Sequence, residues 1–216
     1  MIRLYHCRNA RSFRVLWALE ELGLNYELIL LPFPPRAFAK AYFAVNLLGT
    51  VPTMQHGPLT MTESAAICHY LAVRAESPLA VAAGDCDFGP FLQWTHFGEA
   101  TLTFPQTLVL RYGLLEPEAR RSPQIVDDYR RWFVGRLRAI EAALADYAFL
   151  CARRFTVADI SVGYALLLAE TLGIEEAFTP NVARYWQTLR HREGFTRATA
   201  AQDQATETST DVWLPA

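Results

Sequence analysis

Apolar and polar residues alternate at the start of the chain, and the period then lengthens. In "IRLYH", Ile2 and Leu4 share one face, which predicts a short strand. From Arg11 to Leu22 the spacing is helical, with Phe13, Leu16, Trp17 and Leu19 on an apolar side and Gly23 as a natural stop. "YELILL", residues 26–31, predicts a second strand, ended by Pro32, Pro34 and Pro35. A helix follows over Ala37 to Phe43. Short strands are then expected at Val51 to Gln55 and Leu59 to Met61, with His56, Gly57 and Pro58 as the turn. A helix from Glu63 to about Ala75 closes the series, with Thr62 as its expected cap. The order β-α-β-α-β-β-α predicts an α/β domain over residues 1–79, with helices on both faces of its sheet.

The period is lost over "ESPLAVAAGDCDFG", and residues 80–89 are read as a linker. Beyond it every sustained pattern is helical, so residues 90–201 predict an all-α domain. Its segments are Pro90 to Leu110, Ser122 to Tyr147, the mostly apolar Asp159 to Leu172, and Pro180 to Arg190. Residues 202–216 read as a polar, aperiodic tail, loose or draped on the surface.

Composition narrows the class. With 52% hydrophobic and 19% charged residues, a globally disordered chain is excluded. A net charge of -2 gives no concentrated basic surface for nucleic acid. The start shows no leader pattern and no apolar run reaches the roughly 20 residues of a membrane span, so a cytoplasmic protein is expected. Cys7, Cys68, Cys86 and Cys151 form no CxxC and no ladder of short spacings, which fits a reducing compartment. His69 and His96 lack ligand spacing, and no metal site is expected.

Candidate chemistry lies at the starts of two predicted helices. The first follows "HCRNARS", and unpaired N–H groups at such a terminus favour an anion or thiolate. Asn9 and Ser12 could each donate a hydrogen bond there, or simply cap the helix. In "TVPT", a cis Val51–Pro52 bond would expose the N–H and C=O of Val51 to a peptide-like ligand. In "TESAAI", Ser64 with nearby N–H groups could receive a carboxylate and Glu63 an ammonium group. Asn9, Ser12, Glu63 and Ser64 also suit ordinary helix starts, and Pro52 an ordinary trans proline at a strand edge.

Taken together, "NARSFRVLWALEELGLNYEL", "NLLGTVPTM" and "TESAAICHYLA" resemble the N-terminal domain of the cytosolic glutathione transferase superfamily, nearest its bacterial and fungal members. "FTVADISVGYALL" is similar to a segment of that family's helical domain, with Thr156 and Asp159 spaced as a capping box. The resemblance implies a thioredoxin-like domain followed by an all-helical one, with glutathione as cosubstrate. It implies a cis Pro52, main-chain binding by Val51, and a Glu63–Ser64 pair holding the γ-glutamyl end. Thr50 stands where the family often has a lysine facing the glycyl carboxylate, with Lys40, Arg11 or Gln55 as substitutes. Asn9 matches the activating position, with Ser12 as its rival, Arg11 as an assistant, and the N–H groups of Ala10 to Ser12 contributing. Cys7 is a further sulfur candidate.

The expected function is conjugation of the glutathione thiol to small hydrophobic electrophiles, as in detoxification, by a homodimer. Glutathione-dependent peroxide or disulfide reduction and a non-catalytic binding module are the alternatives. An acceptor pocket between the domains is expected, bordered by Tyr5 or His6 and by Phe97, Thr101, Phe104, Tyr112 and Trp213.

Overall fold

A computed structural model describes residues 1–207. The chain divides into two compact units, residues 1–80 together with the segment from His191 onward, and residues 81–190. The first unit holds a four-stranded sheet in the order β2-β1-β3-β4, from β1 (Ile2–His6), β2 (Tyr26–Leu30), β3 (Thr53–His56) and β4 (Leu59–Met61). β1 pairs parallel to β2 and antiparallel to β3, and β3 pairs antiparallel to β4. The crossover from β1 to β2 carries α1 (Phe13–Leu22), which ends on Gly23 at φ 62 as its sequence predicts. The expected helix at 37–43 is instead a short α2 (Pro35–Phe38) and a 3-10 turn (Lys40–Ala44). The first unit's last expected helix is α3 (Ser64–Arg74). Its N-cap is Glu63, not Thr62.

Every residue of α1 from Phe13 to Leu19 is buried, more than a helix lying on one sheet requires. The additional cover is α9 (Glu193–Glu207). Phe195 meets the rings of Phe13 and Trp17 at centroid distances of 5.3 and 5.0 Å. Arg192 forks onto Glu21 at 2.8 and 2.9 Å, and Arg197 donates to the Glu20 carboxylate at 3.0 Å and its carbonyl at 2.7 Å. The domain assignment by sequence is therefore corrected in one respect. Residues 191–201, expected in the helical domain, pack in the first unit, and residues 202–207, expected in a loose tail, continue the same helix. Few apolar positions mark α9, because polar and charged side chains provide much of its docking.

The second unit is helical, as expected. It comprises α4 (Phe88–His96), α5 (Phe104–Leu110), α6 (Pro123–Ala143), α7 (Val157–Thr171) and α8 (Pro180–Arg190). The expected single helix at 90–110 is broken by a π-helical segment, Phe97–Thr103, and a second one, Arg111–Leu115, extends α5. Close packing accompanies the first widening. A Cβ on Gly98 would lie 2.5 and 2.6 Å from the carbonyl carbon and oxygen of Ser161 on α7, where only backbone could yield. α7 is buried over nearly its whole length. Among the described residues no helix is long and apolar enough to cross a membrane.

The capping box at α7 is present. Asp159 Oδ2 accepts from the Thr156 N–H at 2.8 Å, and Oδ1 accepts from the Leu150 N–H at 3.1 Å and the Tyr185 hydroxyl at 2.7 Å. Burial outweighs these donors and lifts the Asp159 pKa from 3.8 to about 6. The folded state thus holds this proton more tightly than the unfolded chain. The stabilisation is complete below about pH 4 and is lost as pH rises through about 6. Asp159→Asn places an amide donor among donors and should cost roughly 1 to 3 kcal/mol. Denaturant titrations should show its deficit largest near pH 4 and smaller at pH 7. A deficit that grows with pH would contradict this reading.

Candidate functional site

The turn from β1 into α1 is built around Cys7. Ser12 is buried, and its hydroxyl accepts from the Cys7 N–H at 3.2 Å while also lying 3.4 Å from the Cys7 carbonyl. The Ala10 N–H donates to that carbonyl at 3.1 Å. α1 begins only at Phe13, and Ser12 occupies the N-cap position with helical dihedrals and no side-chain cap bond. Two expectations change as a result. The Ser12 hydroxyl is occupied by the turn, and the Ala10 N–H closes it, so neither is presented to an anion. Cys7 is also withdrawn. It is fully buried, its thiol faces the Pro32 carbonyl at 3.7 Å, and desolvation pushes its pKa far above the usual range.

Asn9 sits at the apex of this turn with φ 52, a left-handed conformation that asparagine adopts more readily than most residues. It is half-buried and held from α9. Its N–H donates to Gln202 Oε1 at 3.2 Å, and Gln202 Nε2 donates to Asn9 Oδ1 at 2.8 Å. Arg11 is half-buried on the same turn. Arg8 beside it pairs with Asp203 at 3.0 Å.

The second element is the loop ahead of β3. The Val51–Pro52 bond is cis, as expected, and the Phe33–Pro34 bond, which the sequence did not single out, is cis as well. Tyr42 and Asn46 each donate to the Thr50 carbonyl at 2.8 Å, and both reach Thr53 Oγ1, at 2.6 and 3.2 Å. These buried polar residues fix the chain on both sides of Val51. No hydrogen bond among the described residues engages the N–H or C=O of Val51. Tyr42, Asn46 and Thr53 were missed by sequence reasoning. Their signal, a Tyr-x3-Asn before a Pro-Thr pair, carries meaning only once the loop folds back.

The third element is the start of α3. The Glu63 carbonyl accepts from the Ile67 N–H, leaving the N–H groups of Ser64, Ala65 and Ala66 without intrahelical acceptors. Glu63 is exposed. Ser64 is buried, and its Oγ accepts from Arg14 Nη1 at 3.3 Å. Arg14 itself is fully buried. A guanidinium beneath a helix N-terminus makes this end of α3 electropositive, which suits a carboxylate. Arg14 was not foreseen, because an arginine inside an apolar helical pattern reads as a surface position.

The remaining candidates disperse. The Thr50 side chain is exposed, Lys40 Nζ donates to the Arg36 carbonyl at 2.8 Å, and Gln55 Oε1 lies 3.5 Å from Arg3. His6, expected to border a pocket, points into the core and is fully buried. Phe97 packs edge-on against Trp94 at 5.0 Å, Tyr112 lies under the Arg111 guanidinium at 5.5 Å, Phe104 is exposed and Thr101 half-buried. Trp213 lies outside the described residues. Among the described residues, Asp85, Cys86 and Asp87 form the one grouping with metal-ligand chemistry, on an exposed turn.

Comparisons with known proteins agree among themselves. Residues 10–74 match the family model for the glutathione S-transferase N-terminal domain, and residues 117–193 match that for the C-terminal domain. The chain belongs to the cytosolic glutathione transferase superfamily, and its first domain has the thioredoxin-like fold of that family. It is 28% identical to glutathione S-transferase hmp2 of Hypomyces subiculosus, over 93% of this chain and 98% of that one. With glutathione S-transferase 3 of Schizosaccharomyces pombe it shares 24% identity over 89% and 84% of the two chains. Among solved structures it is similar to the glutathione transferase URE2P6 of Phanerochaete chrysosporium, in complex with oxidised glutathione. That similarity has a TM-score of 0.82 and 27% identity, covering 94% of this chain and 96% of that one. The bacterial transferase BphK gives a TM-score of 0.83 and 26% identity, covering 93% and 99%.

The burial of Cys7 has a direct test. Cys86 alone among the four free cysteines is exposed, and burial raises the thiols of Cys68 and Cys151 to about 12 and about 11. An aromatic disulfide reagent should modify Cys86 quickly in the native protein and Cys7, Cys68 and Cys151 only on unfolding. A rapid phase that survives Cys86→Ser would contradict the withdrawal of Cys7.

Proposed function

We propose that this protein is a glutathione transferase that conjugates the thiol of glutathione to small hydrophobic electrophiles. The observation that carries the reading is the presence, in one unit, of an unengaged Val51 main chain and an electropositive α3 terminus at Ser64. Glutathione is a peptide with a carboxylate and an ammonium group at its γ-glutamyl end. Val51 would pair with its cysteinyl backbone beside Pro52. Ser64 and the first N–H groups of α3 would take the α-carboxylate, and Glu63 the ammonium group. Arg11, two residues beyond Asn9, would assist at the sulfur, and Thr50 would lie by the glycyl end.

Thiol activation then falls to Asn9. An amide nitrogen donates but cannot take up a proton, so Asn9 would stabilise the thiolate without acting as a base. Lowering the bound thiol by two to three pKa units needs about 3 to 4 kcal/mol. A hydrogen bond to a charged group supplies about 1.5 to 3 kcal/mol of that. The acceptor substrate would be taken up with help from the helical unit, and a role in detoxification follows from that chemistry. Four free cysteines suit work in a reducing cytoplasm. Parallel assays with an aromatic halide, a hydroperoxide and a mixed glutathione disulfide test the reading, which expects turnover with the halide. Turnover confined to the other substrates would replace conjugation by reduction.

Ser64→Ala removes a hydrogen bond to a charged group worth about 1.5 to 3 kcal/mol, so the glutathione dissociation constant should rise roughly tenfold or more. Calorimetry showing unchanged affinity in a folded variant would remove Ser64 from the site. We also propose a homodimer. Leu47, Leu48 and Phe38, on the first unit, are 88, 69 and 68% exposed, an apolar surface that an interface would cover. Sedimentation at micromolar concentration should give about twice the chain mass, and a persistent monomer would reject the assembly.

A further inference from the structure

A serine hydroxyl carries one O–H and two lone pairs, so alone it can meet either a donor or an acceptor on a ligand. Its surroundings decide which. Ser64 is the first residue of α3 and is only 3% exposed. Arg14 Nη1 reaches its Oγ at 3.3 Å from α1, which packs against α3. Arg14 is fully buried, and its charge also opposes the rise of the Cys68 thiol, one turn further along α3. The guanidinium therefore lies against the first turn of that helix.

That contact gives the hydroxyl a direction. A guanidinium has N–H donors and no acceptor, and it keeps its charge at any working pH. Ser64 Oγ must accept from Arg14, and the Ser64 hydrogen must point elsewhere. This holds whatever the other N–H groups of Arg14 reach, because none of them can accept. The Ser64 side chain makes no other hydrogen bond among the described residues. Its O–H therefore meets an acceptor on a ligand or none, and a buried hydroxyl hydrogen left unpaired is costly. The bond accepted from a cation also strengthens the O–H as a donor.

The neighbouring groups favour the same ligand chemistry. The N–H groups of Ser64, Ala65 and Ala66 have no intrahelical acceptor. Glu63, whose carboxylate could accept, is exposed at the N-cap and is assigned to the ammonium group. Ser64 and the N–H groups beside it thus form a set of donors. A carboxylate accepts through both oxygens and donates nothing. A carboxamide of the same shape would turn an NH2 toward donors.

We infer that Arg14 is a positioning residue for ligand recognition, which fixes the Ser64 hydroxyl as a donor and so makes the start of α3 select an ionised carboxylate over a neutral carboxamide. The inference rests on the function proposed above, in which this end of α3 takes the α-carboxylate of glutathione. It gives a buried cation a part in specificity, although no atom of Arg14 need touch the ligand.

The test compares glutathione with its analogue in which that carboxylate is a carboxamide, by calorimetry on the full chain. At about pH 6 the ammonium group stays protonated in both ligands. The wild type should bind glutathione roughly tenfold to a hundredfold more tightly than the analogue. Ser64→Ala should weaken glutathione about tenfold and leave the analogue within about threefold of wild type. Because this variant leaves Arg14 in place, it reads the direction of the hydroxyl even if the Arg14 variant fails to fold.

Arg14→Gln supplies an amide that can donate or accept, so the hydroxyl can turn to suit either ligand. In that background Ser64→Ala should change the ratio of the two affinities less than about threefold, against about tenfold in the wild type. A merely structural Arg14 would lower both affinities together and leave the ratio alone. Equal loss of both ligands in Ser64→Ala, or the same change of ratio with and without Arg14→Gln, overturns the role of Arg14 while glutathione binding stands. So does a wild type that binds both ligands equally well. A wild type that binds neither overturns the proposed function and the inference with it.

Discussion

The backbone of the turn between β1 and α1 must find partners away from solvent, and much else in the first unit follows from how it does so. An unpaired buried N–H costs more than an ordinary hydrogen bond returns. Ser12 meets the N–H and C=O of Cys7 with one hydroxyl. Gln202 meets the N–H of Asn9 from a segment almost two hundred residues later in the chain. The first solution accompanies the start of α1 and turns the polar atoms of Ser12 and Cys7 to the backbone. The second requires α9 to lie against α1, which is why α1 is buried on every side and why Phe195, Arg192 and Arg197 find partners on it. Folding and site assembly share the same contacts here.

The same economy governs the proposed anion site. α3 brings unpaired N–H groups to its start, and Arg14 adds a full positive charge beneath them without being exposed. Burying a cation is costly unless it is paired or hydrogen-bonded. One of its bonds goes to Ser64, the residue best placed to greet a carboxylate. The loop at Val51 is held in a comparable way, by Tyr42, Asn46 and Thr53 from either side of the cis bond. In both places polar side chains inside the fold set the posture of the groups that would face the ligand.

Much of this architecture is legible in the sequence, and the parts that are not share a cause. The alternation in β1, the stop at Gly23, the β3–β4 turn and α8 lie where local pattern puts them. So do the cis Pro52 and the capping box of Thr156 and Asp159, whose signals are short and local. What escaped depends on distant partners. α9 carries few apolar residues and reads as a tail, although Glu20, Glu21, His6 and Asn9 all await it. The π-helical segment Phe97–Thr103 coincides with the close approach at Gly98, which no helical period announces. Arg14 and Gln202 are long polar side chains at positions where hydropathy predicts solvent.

The candidate site was legible as a set of positions but not as a division of labour. Sequence alone leaves Asn9, Ser12 and Cys7 as rivals for the sulfur. Packing separates them, since Ser12 and Cys7 are buried with their polar atoms turned to backbone while Asn9 stands at the apex of the turn. The most direct test is a crystal structure of the protein with reduced glutathione bound. The account predicts the sulfur within hydrogen-bond reach of Asn9 Nδ2, with Gln202 still donating to Asn9 Oδ1 on the opposite side. A sulfur held by Ser12 or Cys7, with Asn9 turned away from it, would contradict the account.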